Sequence, residues 1–369
     1  FWLWLAALMG MVVKYSEVTL SVHYRQRDVH GDWVGGPMYY ITNGMGAKWK
    51  WLAVVFAVFA VLASFGIGNM SQVNSITGSI TDAINVFFNL SEAGKTTVHW
   101  ILGISMALLI AVILLGGIKR IGSVTEKLVP FMSVIYIIVC VVVLICHAQN
   151  IPGALVKIFS AAFAPRAVMG AASGIALKQA IVWGLRRSAF SNEAGLGSAG
   201  IAHAAADAPS AVDQGLYGIF EVFMDTLVIC SLTALTIICS GIDISFGTKP
   251  GSELIMAAFS TVFGEKFSSL FVAVALMLFA FSTVLGWALY GTRCTQYLFG
   301  SNSIRIYQVI FALIIVVGCV SPIDVVWDVA DTFNGLMAVP NFVAIFALSG
   351  VVAKLTKEHF EGVESKLRK

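Results

Sequence analysis

The sequence predicts an all-α polytopic membrane protein, and two observations carry that prediction. Hydrophobic residues make up 58% of the chain and charged residues only 12%, whereas soluble domains have about 25% charged residues. The mean hydropathy is +0.88, and the apolar residues form long runs that are typical of helices crossing a lipid bilayer. The basic residues behind the net charge of +3 are scattered at the ends of these runs, so no nucleic-acid partner is predicted.

Nine apolar segments are predicted to form a transmembrane domain, residues 1–353. Most of them reach or approach the roughly 20 residues that a helix needs to cross the hydrocarbon core. The predicted segments lie near residues 1–23, 51–77, 100–118, 128–147, 178–203, 215–240, 267–297, 304–320 and 324–352. A short basic tail, residues 354–369, follows the last of them.

The distribution of lysine and arginine predicts how these segments are oriented. If the 24–50 loop is cytoplasmic, that side also contains the 119–127 loop, the 293–305 region and the C-terminal tail, which together carry most of the basic residues. Cytoplasmic loops are enriched in Lys and Arg, so we expect a multi-pass protein of the cell (inner) membrane with a cytoplasmic C-terminus. The chain begins inside an apolar segment, at Phe1, and we expect the natural protein to have a further segment before it.

The fifth segment combines a carboxylate with several glycines in the stretch SNEAGLGSAG, Ser191 to Gly200. Its glycines match the pattern GxGxxG, but a dinucleotide site requires that motif after a strand in a βαβ unit, and no strand is predicted here. No cofactor is therefore expected. Transporters use broken helices in the membrane to bind substrates and ions, so we predict a helix break that contains Glu193. The alternative is a loop at the membrane edge.

The seventh segment contains two adjacent hydroxyl groups, Ser282 and Thr283, and Trp287 lies one turn beyond them. Oxygen ligands suit hard cations, so these hydroxyls are candidate ligands for sodium. The alternative is that each hydroxyl bonds the carbonyl one turn back or joins two helices.

Polar residues near the ends of two other segments are further candidates for a cavity. Asn69 and Gln72 share a face at the end of the second segment. In the last segment Asn334 lies one turn deeper than an acidic stripe. The stripe consists of Asp324, Asp328 and Asp331. A solvated helix end is the alternative for each group.

These segments together resemble the sodium/alanine symporter family, also called the alanine-or-glycine:cation symporters. The resemblance is carried by FSNEAGLGSAGIAHAAA, GGPMYYI, GNMSQVNSI, DTFNGLMAVPN and the opening FWLWLAALMG. These stretches span nearly the whole chain, which makes the resemblance specific.

The resemblance implies a leucine-transporter-like five-plus-five inverted-repeat bundle that lacks its first core helix. It implies a symporter, not an enzyme, that couples sodium entry to uptake of alanine or glycine by alternating access. On this mapping residues 1–23 are the second core helix and 178–203 the sixth, and Ser282 and Thr283 bind sodium on the eighth. The implied substrate-binding residues are Gln72, Phe190, Ser191, Asn192, Glu193, Gly195 and Trp287.

The sequence departs from the family pattern near the predicted break. Ser188 stands where glycine is usual, and Gly200 stands where proline is usual. Because the missing first core helix supplies half of the substrate site in this fold, we expect the chain as given not to transport. The alternatives are a non-transporting fragment or a channel-like protein for cations or small solutes. A channel requires a continuous polar pore, whereas the polar residues here cluster at a few helix breaks.

Overall fold

The computed structural model describes residues 1–163, 173–244 and 252–367. Within these ranges, eight helices are long and apolar enough to cross a membrane. They are Trp2–His23, Ala47–Phe88, Glu92–Leu115, Arg120–Cys146, Ala211–Cys239, Glu265–Phe299, Ser301–Val320 and Val325–Gly362. The prediction of an all-α polytopic membrane protein is confirmed. A hydrocarbon core imposes this architecture because backbone groups there must satisfy their hydrogen bonds inside the protein.

The chain forms fifteen described helices and one short hairpin. In order they are α1 (Trp2–His23), β1 (Gln26–Arg27), β2 (Trp33–Val34), α2 (Pro37–Tyr40), α3 (Lys50–Phe65), α4 (Ser71–Phe88), α5 (Glu92–Leu115), α6 (Gly117–Cys146), α7 (Ile151–Phe163), α8 (Ser173–Asn192), α9 (Ser198–Ala204), α10 (Ala211–Val222), α11 (Ser231–Cys239), α12 (Glu253–Phe263), α13 (Glu265–Phe299), α14 (Ile304–Val320) and α15 (Ile323–Leu367). Short π-helical stretches, Gly66–Met70 and Phe223–Cys230, join α3 to α4 and α10 to α11.

The second span is longer than the predicted segment 51–77. Helix α4 continues to Phe88 and ends at Asn89, whose φ of +46° is left-handed. Hydroxyl groups lower the hydropathy of this stretch, but Thr77 and Thr81 are buried inside the bundle. Polar side chains that face protein rather than lipid do not end a membrane helix.

The fifth predicted segment, 178–203, is not one continuous span. It consists of α8 and α9, which are separated by Glu193–Gly197. Helix α8 is absent from the eight apolar helices, and it carries Lys178, Arg186 and Arg187. These charges reduce the hydropathy of the segment below that of its neighbours.

The core lies where α1 and α13 meet the helices around them. Helix α1 packs against α8, α9 and α10, while α13 packs against α3 and α4. The fully buried side chains include Tyr40, Phe56 and Trp287. On the outside, large apolar side chains such as Leu108 and Phe346 are exposed. An exterior of this kind is compatible with lipid and not with water, so this surface is the contact with the bilayer.

The loop between α1 and α3 is packed against the helices. Strands β1 and β2 pair antiparallel, and the guanidinium carbons of Arg25 and Arg27 lie 4.3 and 3.9 Å from the centre of the Trp33 ring. Arg25 also donates to the carbonyl oxygens of Ala204 and Ala206, at 3.1 and 2.7 Å. The hairpin is therefore tied to the end of α9.

Asp28 joins the same hairpin to the end of α13. Its Oδ2 accepts from Gln296 Nε2 at 3.0 Å and from Arg293 Nη1 at 3.3 Å. Its Oδ1 accepts from the backbone N–H groups of His30 and Asp32. Burial disfavours the ionised carboxyl, but these hydrogen bonds and the charge of Arg293 outweigh it and hold the pKa of Asp28 below its ordinary value.

Replacing Asp28 by Asn is expected to destabilise the protein at neutral pH by about 2–4 kcal/mol, because the buried Arg293 then loses its closest anion. A lowered folded-state pKa means that the Asp28 carboxylate stabilises the protein above its unfolded pKa. This contribution is lost as the pH falls through the folded pKa. Thermal unfolding of the purified protein is therefore expected to separate the variant from wild type at neutral pH and to bring the two together in acid.

The control for this measurement is Asp32→Asn. The Asp32 carboxylate is 54% exposed and lies 3.8 Å from Arg293, so its removal is expected to cost little. Equal losses of stability in the two variants would contradict the role assigned to Asp28.

Helix α15 continues without interruption from the last span into the basic tail. The hydroxyl groups of Tyr15 and Thr356 hydrogen-bond at 2.6 Å, and His359 Nε2 lies 3.5 Å from Asp213 Oδ1. The predicted boundary between residues 353 and 354 falls inside this helix, and the first part of the tail packs on α1 and α10. Residues 368–369 lie outside the described ranges.

Candidate functional site

The predicted helix break is present between α8 and α9. The φ angles of Glu193, Gly195 and Gly197 are +56°, +92° and +81°. Glycine adopts such angles without a Cβ penalty, whereas Glu193 is held there at a cost of about 1–3 kcal/mol. A non-glycine residue in this conformation, at the point where a helix opens, is typical of a functional site.

Two charged residues of α1 hold the two sides of the break. Lys14 Nζ donates to the carbonyl oxygen of Asn192, the last residue of α8, at 2.9 Å. One carboxylate oxygen of Glu17 accepts from the N–H of Gly197 at 3.1 Å. The side chains of Lys14 and Glu17 are 4% and 0% exposed. The Lys14 ammonium group thus binds a carbonyl that the break leaves free of helical hydrogen bonds, and the Glu17 carboxylate binds an N–H group that the break leaves free.

Sequence reasoning did not identify Lys14 or Glu17 as site residues. The signal that could have found them is their spacing, because charges three positions apart share a face of a helix. Ionisable residues inside a membrane span are functional candidates by default. Here both face the break in a different segment.

Asn341 on α15 completes the support of the break. Its amide nitrogen donates to the carbonyl oxygen of Gly195 at 2.9 Å and to the carboxylate of Glu17. Its amide oxygen accepts from the hydroxyl of Tyr40. The carbonyl of Gly195, a predicted substrate contact, therefore has a protein partner.

Glu193 connects the break to α13. Its Oε1 accepts from Trp287 Nε1 at 2.7 Å, and its Oε2 accepts from Ser198 Oγ at 2.6 Å. Both Glu193 and Trp287 line a cavity of about 550 Å³, together with Tyr290 and Glu221. Two of the predicted substrate-binding residues are thus in direct contact at one cavity.

The predicted sodium ligands line the same cavity. Ser282 Oγ and Thr283 Oγ1 both donate to the carbonyl of Phe279, at 2.8 and 3.1 Å. This is the alternative arrangement in which a hydroxyl bonds the carbonyl one turn back. A donating hydroxyl keeps lone pairs on its oxygen, and both residues border the cavity next to Glu193 and Trp287.

A smaller cavity of about 210 Å³ lies beside the first and shares Glu193 with it. Ser191 and Asn192, both predicted to bind substrate, line this smaller cavity. Ser191 Oγ donates to the carboxylate of Asp225 at 2.7 Å. The Asn192 amide nitrogen donates to Thr226 Oγ1 at 3.0 Å. Both residues fasten the end of α8 to the π-helical stretch after α10.

Phe190 does not join these residues. It lines a third cavity, of about 460 Å³, with Asp331 and Asn334, and its ring centroid lies 4.9 Å from that of Trp327. Arg187 Nη2 forms an ion pair with Asp331 at 2.8 Å at this cavity. Asn334 lines this cavity, as its sequence position predicted, and its Oδ1 is buried without a hydrogen-bond partner.

Gln72 is also separate from the other predicted substrate-binding residues. Its amide nitrogen donates to the carbonyl of Ile67 at 3.0 Å, inside its own span, and Gln72 lines none of the three cavities. In the same span it is Gly68, and not Gln72, that contacts Trp287. A β-carbon added at Gly68 would lie only 2.1 Å from Trp287 Cβ. The backbone of the second span thereby packs directly on Trp287.

A bundle of membrane helices in which one segment is broken, with buried charges at the break and cavities lined by residues of the break, has the architecture of a secondary transporter. The chain matches the model of the sodium:alanine symporter family over residues 1–369. It belongs to this family, which consists of transporters and not enzymes, and the predicted resemblance is confirmed.

Three relatives illustrate the match. The chain is 41% identical over 361 residues to the sodium/alanine symporter AgcS of Methanococcus maripaludis, covering 97% of this chain and 76% of that one. It is 38% identical over 362 residues to an uncharacterized transporter of Haemophilus influenzae, covering 98% and 76%. It is 37% identical over 360 residues to a probable sodium/glutamine symporter, GlnT, of Bacillus subtilis, covering 97% and 71%. The family and these relatives support cation-coupled amino-acid symport.

Proposed function

We propose that this protein couples the entry of sodium to the uptake of a small neutral amino acid, alanine or glycine, by alternating access. The observation that carries the proposal is the break at Glu193–Gly197, where a buried carboxylate meets a cavity between α9 and α13. The relative named a sodium/alanine symporter supports the choice of substrate class.

The residues of the larger cavity suit a small zwitterion. Glu193 provides a carboxylate acceptor for the substrate ammonium group, and Trp287 and Tyr290 form bulky walls that restrict side-chain size. Burial of a charged substrate group is favourable only when it is paired, and Glu193 provides that partner for the ammonium group.

Sodium has a proposed place beside the substrate. The oxygens of Ser282 and Thr283 border the cavity that Glu193 also lines, and hard cations prefer oxygen ligands. Binding of the cation near Glu193 offsets the charge of this carboxylate when the ammonium group of the substrate is absent.

Two of the cavities support alternating access in this proposal. The larger cavity is bordered by Ile121 and Ala206, near loops predicted to be cytoplasmic. The cavity of Phe190 and Asp331 lies near segment ends predicted to face outside. In the proposal, the substrate reaches the break from either cavity. The bundle is proposed to be a five-plus-five inverted repeat with a cytoplasmic C-terminus.

Uptake of labelled alanine by the full-length protein in proteoliposomes tests this function. We expect accumulation when sodium is higher outside, and little uptake when potassium replaces it. Excess unlabelled glycine is expected to compete, whereas a large amino acid such as tryptophan is not. Uptake that is indifferent to sodium would overturn the symport proposal.

Ser282→Ala and Thr283→Ala are each expected to raise the sodium concentration for half-maximal uptake about three- to tenfold, since each removes one ligand worth about 1 kcal/mol. The measurement is initial uptake rate against sodium concentration. Ser260→Ala is the matched control, because Ser260 Oγ also bonds a carbonyl one turn back, on Met256, but it does not line the cavity. An unchanged sodium dependence in both variants would exclude this ion site.

A further inference from the structure

An apolar groove of about 360 Å³ runs between α4 and α13. It shares no lining residue with the three cavities described above. Every residue that lines it is apolar, from Ile80 to Phe88 on α4 and from Leu270 to Met277 on α13. The groove therefore offers no polar side chain to the substrate or the ion of the proposed function.

The shape of the groove follows from the spacing of its residues. On α13 the lining positions are three and four apart, from Leu270 through Ala273 and Val274 to Met277, so they form one stripe along the helix. A stripe with the same spacing lines the groove on α4. Ala83 and Ala273 are small and buried, whereas Leu270 is exposed. The two alanines therefore form the floor of a groove whose edge is open.

The groove opens toward the bilayer. Helices α4 and α13 belong to two of the eight apolar helices, and Phe88 and Leu270 at the groove are exposed. From Ile80 to Phe88 the groove extends about 12 Å, at about 1.5 Å per residue. One leaflet of the hydrocarbon core is about 15 Å thick, which is half of the whole core. The length of the groove is therefore comparable with the depth of a single leaflet.

The volume of the groove favours an acyl chain over a helix from another protein or from a second copy. A helix is about 10 Å wide, so a stretch of about 12 Å fills about 900 Å³, more than twice the volume of the groove. An acyl chain is a single row of methylene groups and is thin enough to lie along the two alanines of the floor. Because lipid tails are as apolar as the groove, close packing favours the chain here, and the headgroup decides which lipid binds.

A lysine lies where the headgroup of such a lipid is expected. Lys266 is four positions before Leu270, so it lies one turn beyond the groove on the same face of α13. Its Nζ lies 5.9 Å from the centre of the Phe87 ring, and Phe87 lines the groove. Among the described residues Lys266 has no carboxylate partner, unlike Lys95, which pairs with Glu92 at 2.8 Å. An exposed ammonium group thus stands at the open end of an apolar groove.

We propose that this groove binds one anionic phospholipid, with an acyl chain between α4 and α13 and the phosphate on Lys266. Basic side chains at the membrane surface attract anionic headgroups. The neighbouring Glu265 lies on a different face of α13, because consecutive helical residues are about 100° apart. The proposal does not depend on the transport function proposed above.

Native mass spectrometry of the full-length protein in detergent, titrated with phosphatidylglycerol, measures this binding. We expect a single tightly bound phosphatidylglycerol per chain and weaker binding of phosphatidylcholine, whose headgroup has no net charge. Lys266→Gln is expected to weaken phosphatidylglycerol binding about fivefold, the effect of one lysine at a lipid headgroup, and to remove the preference over phosphatidylcholine. The matched control is Lys157→Gln, at an exposed lysine on α7, which is expected to leave both affinities unchanged.

Ala273→Leu tests the groove separately from the lysine. It is expected to weaken phosphatidylglycerol binding at least about tenfold, because its added carbons occupy the place of the acyl chain. Thermal unfolding in lipid-free detergent shows whether the variant is folded, and Ala83→Leu provides the same test from α4. Equal affinities for the two lipids in wild type, or an affinity for phosphatidylglycerol that Lys266→Gln and the folded leucine variants leave unchanged, would overturn the proposal. A wild-type dimer that the leucine variants dissociate would assign the groove to a second copy and overturn it as well.

Discussion

Replacing Glu193 by Gln is expected to reduce sodium-driven alanine uptake by about 30- to 100-fold. The Glu193 carboxylate accepts from Trp287 Nε1 and from Ser198 Oγ, and a glutamine has only one oxygen for these two donors. Hydrogen bonds to a charged group are worth about 1.5–3 kcal/mol, and the same change removes the negative charge from the proposed substrate and cation cavity. Initial uptake rates in proteoliposomes at saturating sodium measure the effect.

Two further variants separate the causes of that loss. Trp287→Phe keeps an aromatic wall but removes the indole N–H, so a smaller loss is expected if the charge of Glu193 is what uptake requires. Glu92→Gln, at an exposed carboxylate on α5, is the matched control and is expected to be neutral. Normal uptake by Glu193→Gln would remove Glu193 from the site.

Replacing Glu17 by Leu is expected to abolish uptake and to lower thermal stability. The change leaves the N–H of Gly197 and the amide nitrogen of Asn341 facing an apolar side chain. Each buried donor without an acceptor costs about 1–3 kcal/mol, and the backbone of the break loses the group that holds it to α1. Thermal unfolding and alanine uptake of the same preparation measure the two effects.

Glu17→Gln is the conservative partner of that variant. Its carbonyl oxygen can still accept from Gly197 and Asn341, so it is expected to preserve stability far better than Glu17→Leu. Loss of uptake in Glu17→Gln with stability retained would assign the role to the charge of Glu17. Loss only in Glu17→Leu would assign it to the position of the break. Wild-type uptake and stability in Glu17→Leu would contradict both roles.

The break itself was predictable because its cause is local. Glycine is the residue that takes positive φ without strain, and the structure shows Gly195 and Gly197 in that region. The carboxylate of Glu193 stands in the same short stretch, so one pattern indicated both the opening of the helix and its charged group.

The partners of the break were not predictable because they are far apart in the chain. Glu17 and Asn341 are 324 residues apart, and no local pattern relates them. Lys14 and Glu17 lie in an apolar segment. Neither the hydropathy of that segment nor the number of basic residues in the loops indicates that these two residues belong to the site. Their contacts depend on how α1 is rotated against α8 and α9.

The same dependence explains the predicted residues that lie elsewhere. Phe190 is three positions before Glu193, which is close along the chain, but on helix α8 it faces the cavity of Asp331 and Asn334. Gln72 has the polar character of a cavity residue, but its amide bonds within its own span. Residue type indicates that a polar group needs a partner, and packing decides which partner it obtains.

The amino-acid sequence by itself determined that this chain is a helical membrane protein, and it predicted a helix break that contains Glu193, within Ser191 to Gly200. The reason is that a backbone buried in hydrocarbon must satisfy its own hydrogen bonds, which favours helices. Glycines and a charged residue within one apolar segment indicate where a helix is interrupted. The tertiary structure alone decided that Lys14, Glu17 and Asn341 hold the opening and that Trp287 closes on Glu193. Those contacts join different helices, and their formation depends on the packing of whole segments against one another.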